Sequence, residues 1–316
     1  MRRWLAILRP NRPELRAAFI LGGVMVAGSA VVITWLRSFD IPEECFRGGN
    51  VADQCRLYQG TMFAYGEALN TVGNPAAIAA FVTPIVVGIV LGIALLAREL
   101  EQQTTSFAWS IAPSRGVWLR DRIIPILLLL LALGFAGGWL GDVFQGLRTR
   151  SVDPWANFEG MGQRGPVIPG AALLVFGISG LVGGLVGRQL PALLISGALI
   201  GFGLWAAFNL SDGWIRDDAV FGTNDELGLG DKYLDSVIRT PEGKFITWDE
   251  AYQRYGSEVD ALNLGETGSS GLALAMRYVP GERYPAAVAR LSGLLGLGGV
   301  ATIGLTFLVV SRRRPY

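Results

Sequence analysis

The sequence contains no histidine among its 316 residues, and this absence excludes whole classes of enzyme. Imidazole is the usual general base and a common metal ligand near neutral pH. Zinc proteases of the HExxH type and hydrolases that pair serine with histidine are therefore excluded. Lysine is nearly absent too, with only Lys232 and Lys244 among 27 basic residues. We interpret that bias as high-GC coding in the source genome rather than as chemistry.

A phosphate-binding loop is also missing. No GxxxxGK[ST] motif occurs, and Lys232 has neither the required spacing nor the following Ser or Thr. We therefore expect no ATP hydrolysis, no catalytic residue and no cofactor or metal in this chain, so that energy for any transport comes from a partner. Arg290 is the only clear charge within the apolar runs, which disfavours coupling to protons or sodium.

Charged residues make up only 17% of the chain and hydrophobic residues 51%, which favours a membrane protein. The 27 basic and 26 acidic residues nearly cancel, so no nucleic-acid partner is expected. Six apolar runs are long enough to cross about 30 Å of hydrocarbon. The predicted fold is thus an all-α integral membrane protein with six transmembrane helices, at 17–36, 76–97, 123–140, 167–186, 190–210 and 286–310.

Arginines that flank the spans predict the orientation, because positive charge favours the cytoplasmic side. Four segments carry them: the N-terminus, residues 98–122, the turn at 187–189, and the tail at 311–314. Both termini are therefore predicted to face the cytoplasm (N-in, C-in), although Arg148, Arg150 and Arg164 on the outside run against the trend. The alternative is that the first span is a cleaved signal sequence.

Cys45 and Cys55 are the only cysteines and lie ten residues apart in the first predicted outside loop. An oxidising environment allows a disulfide to persist there. We expect a bridge that shapes this loop, and a ring so small stabilises by about 3 kcal/mol at most. Two free thiols or an intermolecular pair are the alternatives.

Two predicted cytoplasmic segments are amphipathic. Residues 1–15 alternate arginine with Trp4 and aliphatic residues, as in a helix that lies in the membrane interface, or else form an ordinary positive flank. Residues 98–122 are broken once, at Pro113-Ser114. Two short helices joined there place Glu99 and Glu101 at the inner end of the second span, near the arginines that enter the third. Charges in that position need a partner.

The loop at 98–122 and the residue before it contain a distinctive set of residues, namely Ala97-Arg98-Glu99-Leu100-Glu101, Thr104, Trp109-Ser110, Arg115 and Trp118-Leu119. This set resembles a segment of the actinobacterial permeases of type-2 ATP-binding-cassette exporters. Further matches, in the same order, are Arg164 to Val167, Tyr278 to Pro280 and Arg283 to Pro285. The chain departs from the family at Gln103-Thr104, where Gly-Thr is common, and at Thr105-Ser106, where a basic residue often follows.

The resemblance implies a role for each part of the chain. Residues 1–15 would form an interfacial elbow helix, and residues 16–210 would form the first five transmembrane helices with a coupling loop at 98–122. Residues 211–285 would form a small extracellular cap between helices 5 and 6. Residues 286–316 would form the sixth helix and the basic tail. The implied partners are two cytoplasmic ATPase subunits, a second permease copy or homologue, and membrane lipids. ATP and Mg would be bound by the ATPase subunits. The residues implied to couple to the ATPase are Glu99, Glu101, Phe107, Trp109 and Arg115.

If the fold follows the family, the substrate path lies between the second and fifth spans of two protomers. The candidate wall residues are Phe81, Thr83, Phe202, Trp205, Phe208 and Asn209. Lipid-facing or packed positions are the alternative for each of them. Glycine pairs four residues apart, Gly88 with Gly92, Gly180 with Gly184 and Gly197 with Gly201, suit close helix packing.

Residues 211–285 are too numerous for a simple connector and are rich in aromatic and acidic residues, which predicts a folded cap. The stretch 247–263 has helical spacing, and its aromatics would either form the core of the cap or gate a substrate.

The sequence thus predicts the permease subunit of an ATP-driven exporter in the plasma membrane of a high-GC Gram-positive bacterium. Its substrate would be a small molecule, a lipid or a peptide, including drugs and antibiotics. The alternative is a non-transporting membrane sensor or assembly protein that binds through its cap. A membrane enzyme that uses carboxylates alone is a third possibility.

Overall fold

The computed structural model describes residues 13–46, 53–102, 114–223, 226–256, 258–259 and 271–312. Contacts divide the chain into two units. The first, here called the helical unit, comprises Met1–Ser151, Gly160–Asn209 and Val288–Tyr316. The second, the sheet unit, comprises Val152–Glu159 and Leu210–Ala287.

The described residues form nine α-helices, which are numbered here in chain order. They are α1 Pro13–Arg37, α2 Asp53–Arg56, α3 Gln59–Ala68, α4 Asn74–Glu101, α5 Arg115–Arg148, α6 Val167–Val186, α7 Gln189–Asp217, α8 Trp248–Tyr255 and α9 Tyr284–Arg312. A π-helical turn, Leu69–Gly73, joins α3 to α4, so that helix continues from residue 59 to residue 101. Residues 1–12 of the predicted interfacial helix lie outside the described residues.

Six of the described helical segments are long and apolar enough to cross a membrane, which confirms the predicted number of spans. The predicted span at 167–186 coincides with α6. The third span is longer than predicted, because α5 begins at Arg115 rather than at residue 123 and runs through Pro125. Ser114 caps this start by accepting the backbone N–H of Val117 at 3.2 Å. The second of the two short helices predicted around Pro113-Ser114 is therefore not a separate element.

Glycines let α4 and α6 approach each other closely. A Cβ atom added at Gly92 would lie 2.8 Å from the Phe176 carbonyl oxygen and 2.7 Å from Ser179 Cβ. One added at Gly184 would lie 3.1 Å from Leu96 Cδ1. The predicted packing role is thus confirmed for these positions. At Gly197 and Gly201, no described atom lies within 4 Å of such a Cβ, so this pair serves no packing within the described part of one chain.

The spans differ in how much of their surface the chain itself covers. The most apolar stretch of α6 is 83% buried, whereas those of α7 and α9 are each 22% buried. α6 packs against α4 and α5, and its Ile178 also lies beside Gly203 of α7. The helical unit is therefore built around α4, α5 and α6.

The loop between α1 and α3 is closed by a disulfide between Cys45 and Cys55, whose Cα atoms are 5.6 Å apart. Tyr65 packs beside it and donates its hydroxyl proton to the Leu147 carbonyl oxygen at 2.5 Å. The Arg150 guanidinium lies over the Tyr65 ring, 4.6 Å from its centroid. These contacts tie the loop to the end of α5.

The sheet unit contains a four-stranded antiparallel sheet that was not predicted. Its strands are β1 Val220–Gly222, β2 Lys232–Arg239, β3 Phe245–Ile246 and β4 Ala273–Val279, in the order β1-β4-β2-β3. A register shift between Tyr233 and Asp235 interrupts the alternation of side chains between the two faces of the sheet, and an unbroken alternation would have indicated β2. The all-α prediction therefore holds for the membrane-spanning helices and is incomplete for residues 210–287.

The helix predicted at 247–263 is shorter in the structure. Thr247 and Glu250 form a capping box that starts α8, as their spacing allows. The helix ends at Tyr255 because Gly256 adopts a positive φ of 56°. Ala251 of α8 and Val259 beyond it are fully buried in the core of this unit, together with Ile238 and Leu272.

Candidate coupling site

Two acidic residues at the end of α4 flank the segment at 103–113. The Glu99 carboxylate accepts a hydrogen bond from the guanidinium of Arg122, in the second turn of α5. The two side chains are 16% and 21% exposed. The Arg122 guanidinium also lies over the Trp118 ring, 4.2 Å from its centroid. Arg122 is thus held between a carboxylate and an aromatic face, which both favour its charge.

Glu101 makes a contact with a different helix. Its Oε2 accepts the backbone N–H of Gln189, the first residue of α7, at 3.1 Å. The first N–H groups of a helix have no partner within the helix, and they carry partial positive charge that favours a carboxylate. Residues two apart on a helix point about 200° apart. This explains why Glu99 can bind α5 while Glu101 binds α7.

The remaining predicted coupling residues lie on or near the same segment. Arg115 is the first residue of α5 and is half-buried. Phe107 and Trp109 lie outside the described residues, so their contact with an ATPase stays a prediction. Arg120 and Asp121 form an exposed ion pair at 3.2 Å beside the site.

The predicted path residues occupy two different environments in the single chain. Thr83 is buried on α4 and donates its hydroxyl proton to the Ala79 carbonyl oxygen at 2.7 Å, while Phe81 is half-buried. On α7, Phe202 and Trp205 are 65% and 61% exposed. Their ring centroids lie 5.8 Å apart. The single chain therefore leaves Phe202 and Trp205 of the predicted wall uncovered.

The other two predicted path residues lie toward the end of α7. Phe208 is half-buried, and a Cβ added at Gly162 would lie 2.7 Å from its ring. Asn209 is exposed and donates its side-chain amide to the Trp205 carbonyl oxygen at 2.8 Å. Phe208 thus packs within the helical unit, whereas Asn209 bonds to its own helix.

A charged pair at the far end of α5 was not identified from the sequence. Arg164 Nη1 lies 3.2 Å from Asp142 Oδ1, and the side chains are 3% and 20% exposed. The loop that carries Arg164 lies directly on α5, where Gly165 donates its N–H to the Gly138 carbonyl oxygen at 3.1 Å. The sequence did contain a sign of this pair, because Arg164 was one of the arginines on the predicted outside that contradicted the excess of arginine on the cytoplasmic side. An arginine paired inside the protein does not report on orientation.

Among the described residues, no group of three His, Cys, Asp or Glu side chains is placed to hold a metal ion. The hydrogen bonds of Glu99 and Glu101 join the end of α4 to α5 and to α7.

Residues 20–209, more than half of the chain, match a family model described as ABC-2 membrane transporter related. No curated protein and no solved structure gives a match. The matched residues contain three of the six spans whole and most of two others, and they include Glu99, Glu101 and Arg122. ABC-2 permeases are typically non-catalytic membrane subunits that work with a separate ATPase subunit. The chain is therefore a multi-pass membrane protein that belongs to the ABC-2 membrane transporter related family.

Proposed function

We propose that this chain is the transmembrane permease subunit of an ATP-driven exporter that moves a small molecule, a lipid or a peptide out of the cell by alternating access. Two ATPase subunits bind ATP and Mg²⁺, and a second permease copy or a homologue completes the assembly. Family membership supports the permease role. Export, and a high-GC Gram-positive source, are supported by the resemblance at residues 97–119 and by the scarcity of lysine.

The observation that carries the proposal is the pair of contacts made by Glu99 and Glu101. Residues 103–113 are bounded by α4 and α5, and the Glu99–Arg122 pair joins those two helices next to it. The contact between Glu101 and Gln189 adds α7. A displacement of this segment by an ATPase would therefore act on three spans together.

The arginines support an orientation with both termini in the cytoplasm. α4 ends and α5 begins beside arginines, and Arg188 lies between α6 and α7. Arg312 is the last residue of α9. In a chain that crosses the membrane six times, all these positions fall on one side, the side that positive charge marks as cytoplasmic.

The exposed aromatic residues on α7 support assembly with a second permease subunit. Phe202 and Trp205 lie on the poorly covered face of α7. A second copy would cover them and would face them with its own α4 and α7. The path proposed here, lined by Phe81, Thr83, Phe202, Trp205, Phe208 and Asn209, then lies between protomers.

The proposal is tested by reversing the charge of each acid. We expect Glu99→Lys and Glu101→Lys to remain in the membrane and to abolish ATPase activity that depends on the permease, because each places a positive charge against a positive partner. Asp121→Lys is the matched control, since Asp121 is exposed at the same end and bonds only to its neighbour Arg120 in the contacts described above. Normal coupled activity in both Glu99→Lys and Glu101→Lys would contradict the proposal.

A further inference from the structure

The end of the helical unit that contains Asp142 and Arg164 also contains a pocket of about 200 Å³. Its walls come from the π turn and the first turns of α4, from the last turns of α5, and from the loop that precedes α6. It lies about 30 Å along α5 from the candidate coupling site, given a rise of 1.5 Å per residue between positions 122 and 142. The pocket is thus separate from that site.

One wall of the pocket is polar and basic. Arg148, the last residue of α5, is exposed and donates its guanidinium N–H to the side-chain oxygen of Asn74. Gln145, whose amide donates to the Thr149 hydroxyl at 3.3 Å, and Gln163 add side-chain amides, and Arg164 also lines the pocket while it is bonded to Asp142. Guanidinium and amide groups together supply the N–H donors that a phosphate group binds.

The rest of the lining is apolar. It includes Leu69, Ala77, Ile78 and Phe144, and Ile78 is 53% exposed. A ligand that fits both parts of the lining has an anionic group beside an apolar chain. Guanidinium and amide donors next to apolar side chains suit the headgroup and acyl chain of an anionic lipid.

The backbone, rather than flexible side chains, sets the shape of the pocket. The π turn Leu69–Gly73 supplies two lining residues at its ends, and π turns within α-helices occur frequently at functional sites. On the other side, a Cβ added at Gly141 would lie 2.8 Å from the Gln163 carbonyl oxygen. Gly160, which also lines the pocket, has a positive φ of 67°. The loop is therefore fitted closely to α5.

We propose that this pocket binds a phosphate group, held by Arg148 with Asn74 and the neighbouring amides, whose carrier is either an anionic lipid or free phosphate. In the lipid case the acyl chain lies along Ile78 and Leu69. The site goes beyond the proposed export function, because it depends on neither the ATPase nor the direction of transport.

The test measures binding to the full-length purified chain in a neutral detergent by native mass spectrometry. The probes are a short-chain phosphatidylglycerol, the matching diacylglycerol without phosphate, and inorganic phosphate. The variants are Arg148→Gln and Asn74→Ala. Arg37→Gln is the matched control, because Arg37 is exposed in the last turn of α1 and does not line the pocket.

We expect Arg148→Gln to weaken binding of the phosphate-bearing probe about tenfold, as the loss of one charge-assisted hydrogen bond implies. Asn74→Ala should weaken it less, and Arg37→Gln should bind as the unchanged protein does. Thermal unfolding without probe shows that the variants are folded. Tight binding of phosphatidylglycerol alone identifies a lipid, and binding of inorganic phosphate identifies a soluble anion. The proposal would be overturned if Arg148→Gln and Arg37→Gln bound the phosphate-bearing probes equally well. It would also be overturned if the unchanged protein bound diacylglycerol as tightly as phosphatidylglycerol and did not bind inorganic phosphate.

Discussion

The two ends of α5 each carry an ion pair, but the pairs differ in burial and in surroundings. At one end, Arg122 and Glu99 are each about one-fifth exposed and lie beside the segment at 103–113. At the other end, Arg164 is 3% exposed and its loop is fitted against glycines of α5. A buried pair in a closely fitted setting holds one arrangement. The first pair has the more exposed arginine and lies where α4 ends, so a partner protein can reach it, which is why we propose coupling for the first pair and structural support for the second.

The largest effect on the free energy of unfolding is expected at the buried pair. Asp142→Asn leaves the Arg164 charge buried without its carboxylate, which costs about 3 kcal/mol, toward the low end for a buried pair because Asp142 is 20% exposed. Denaturant unfolding in detergent measures this loss. The double variant Asp142→Leu with Arg164→Met should recover most of it, because removal of both charges ends the penalty. A single variant as stable as the unchanged protein would show that the pair is not the support we describe.

A smaller loss is expected from Gly141→Ala. The new Cβ would lie 2.8 Å from the Gln163 carbonyl oxygen and 2.9 Å from Arg164 Cβ, so the loop must shift at a cost of about 1–3 kcal/mol. Gly116→Ala, at the opposite end of the same helix, meets no described atom within 4 Å and should change stability by about 0.5 kcal/mol or less. Unfolding of the two variants under one condition makes the comparison direct. Equal losses would contradict the difference in fit between the two ends.

The Glu99–Arg122 pair is expected to contribute less to stability than to coupling. Glu99→Lys should lower the free energy of unfolding by about 2 kcal/mol, because it sets two positive charges side by side where the side chains are 16% and 21% exposed and solvent screens them only in part. The double variant Glu99→Lys with Arg122→Glu restores opposite charges and should regain most of that stability and part of the coupled ATPase activity. If the double variant shows no more coupled activity than the single one, the two residues do not act as a pair.

The smallest effect is expected from Glu101→Gln. The amide oxygen still accepts the N–H of Gln189, but the negative charge near the start of α7 is lost, which costs about 0.5 kcal/mol. Added salt should reduce this cost, since the group is exposed and charges at the surface are screened. A series of unfolding measurements at increasing ionic strength checks both points. A loss that does not depend on salt would mean that Glu101 acts through packing instead.

Hydropathy and charge predicted the number of spans, because these depend on composition over about twenty residues. They also placed Glu99 near the arginines that enter the third span. They could not show that Arg122 is the arginine that pairs with Glu99, because this depends on how Arg122 packs on the Trp118 ring. The early start of α5 depends on one cap, Ser114, whose hydrogen bond lets the helix begin at Arg115, before the apolar run starts. Helix boundaries set by single caps are poorly marked in a hydropathy profile.

The features that sequence reasoning missed depend on contacts between distant segments. The sheet requires β4 to pair with β1 and β2, whose partner residues lie about 35 to 60 positions earlier in the chain. The Asp142–Arg164 pair requires the loop to rest on Gly138 and Gly141. In each case the sequence contained the residues, but nothing in their spacing showed which of them would meet.

The central claim, that this chain is a permease joined to an ATPase through the end of α4 and α5, is tested most directly by affinity purification from mild detergent with an ATP analogue present. We predict that a phosphate-loop ATPase co-purifies at about one copy per permease. Its permease-dependent activity should be lost with Glu99→Lys and kept with Asp121→Lys. Recovery of the chain alone or with unrelated proteins would contradict the account and favour a membrane sensor or assembly protein that binds through residues 211–285.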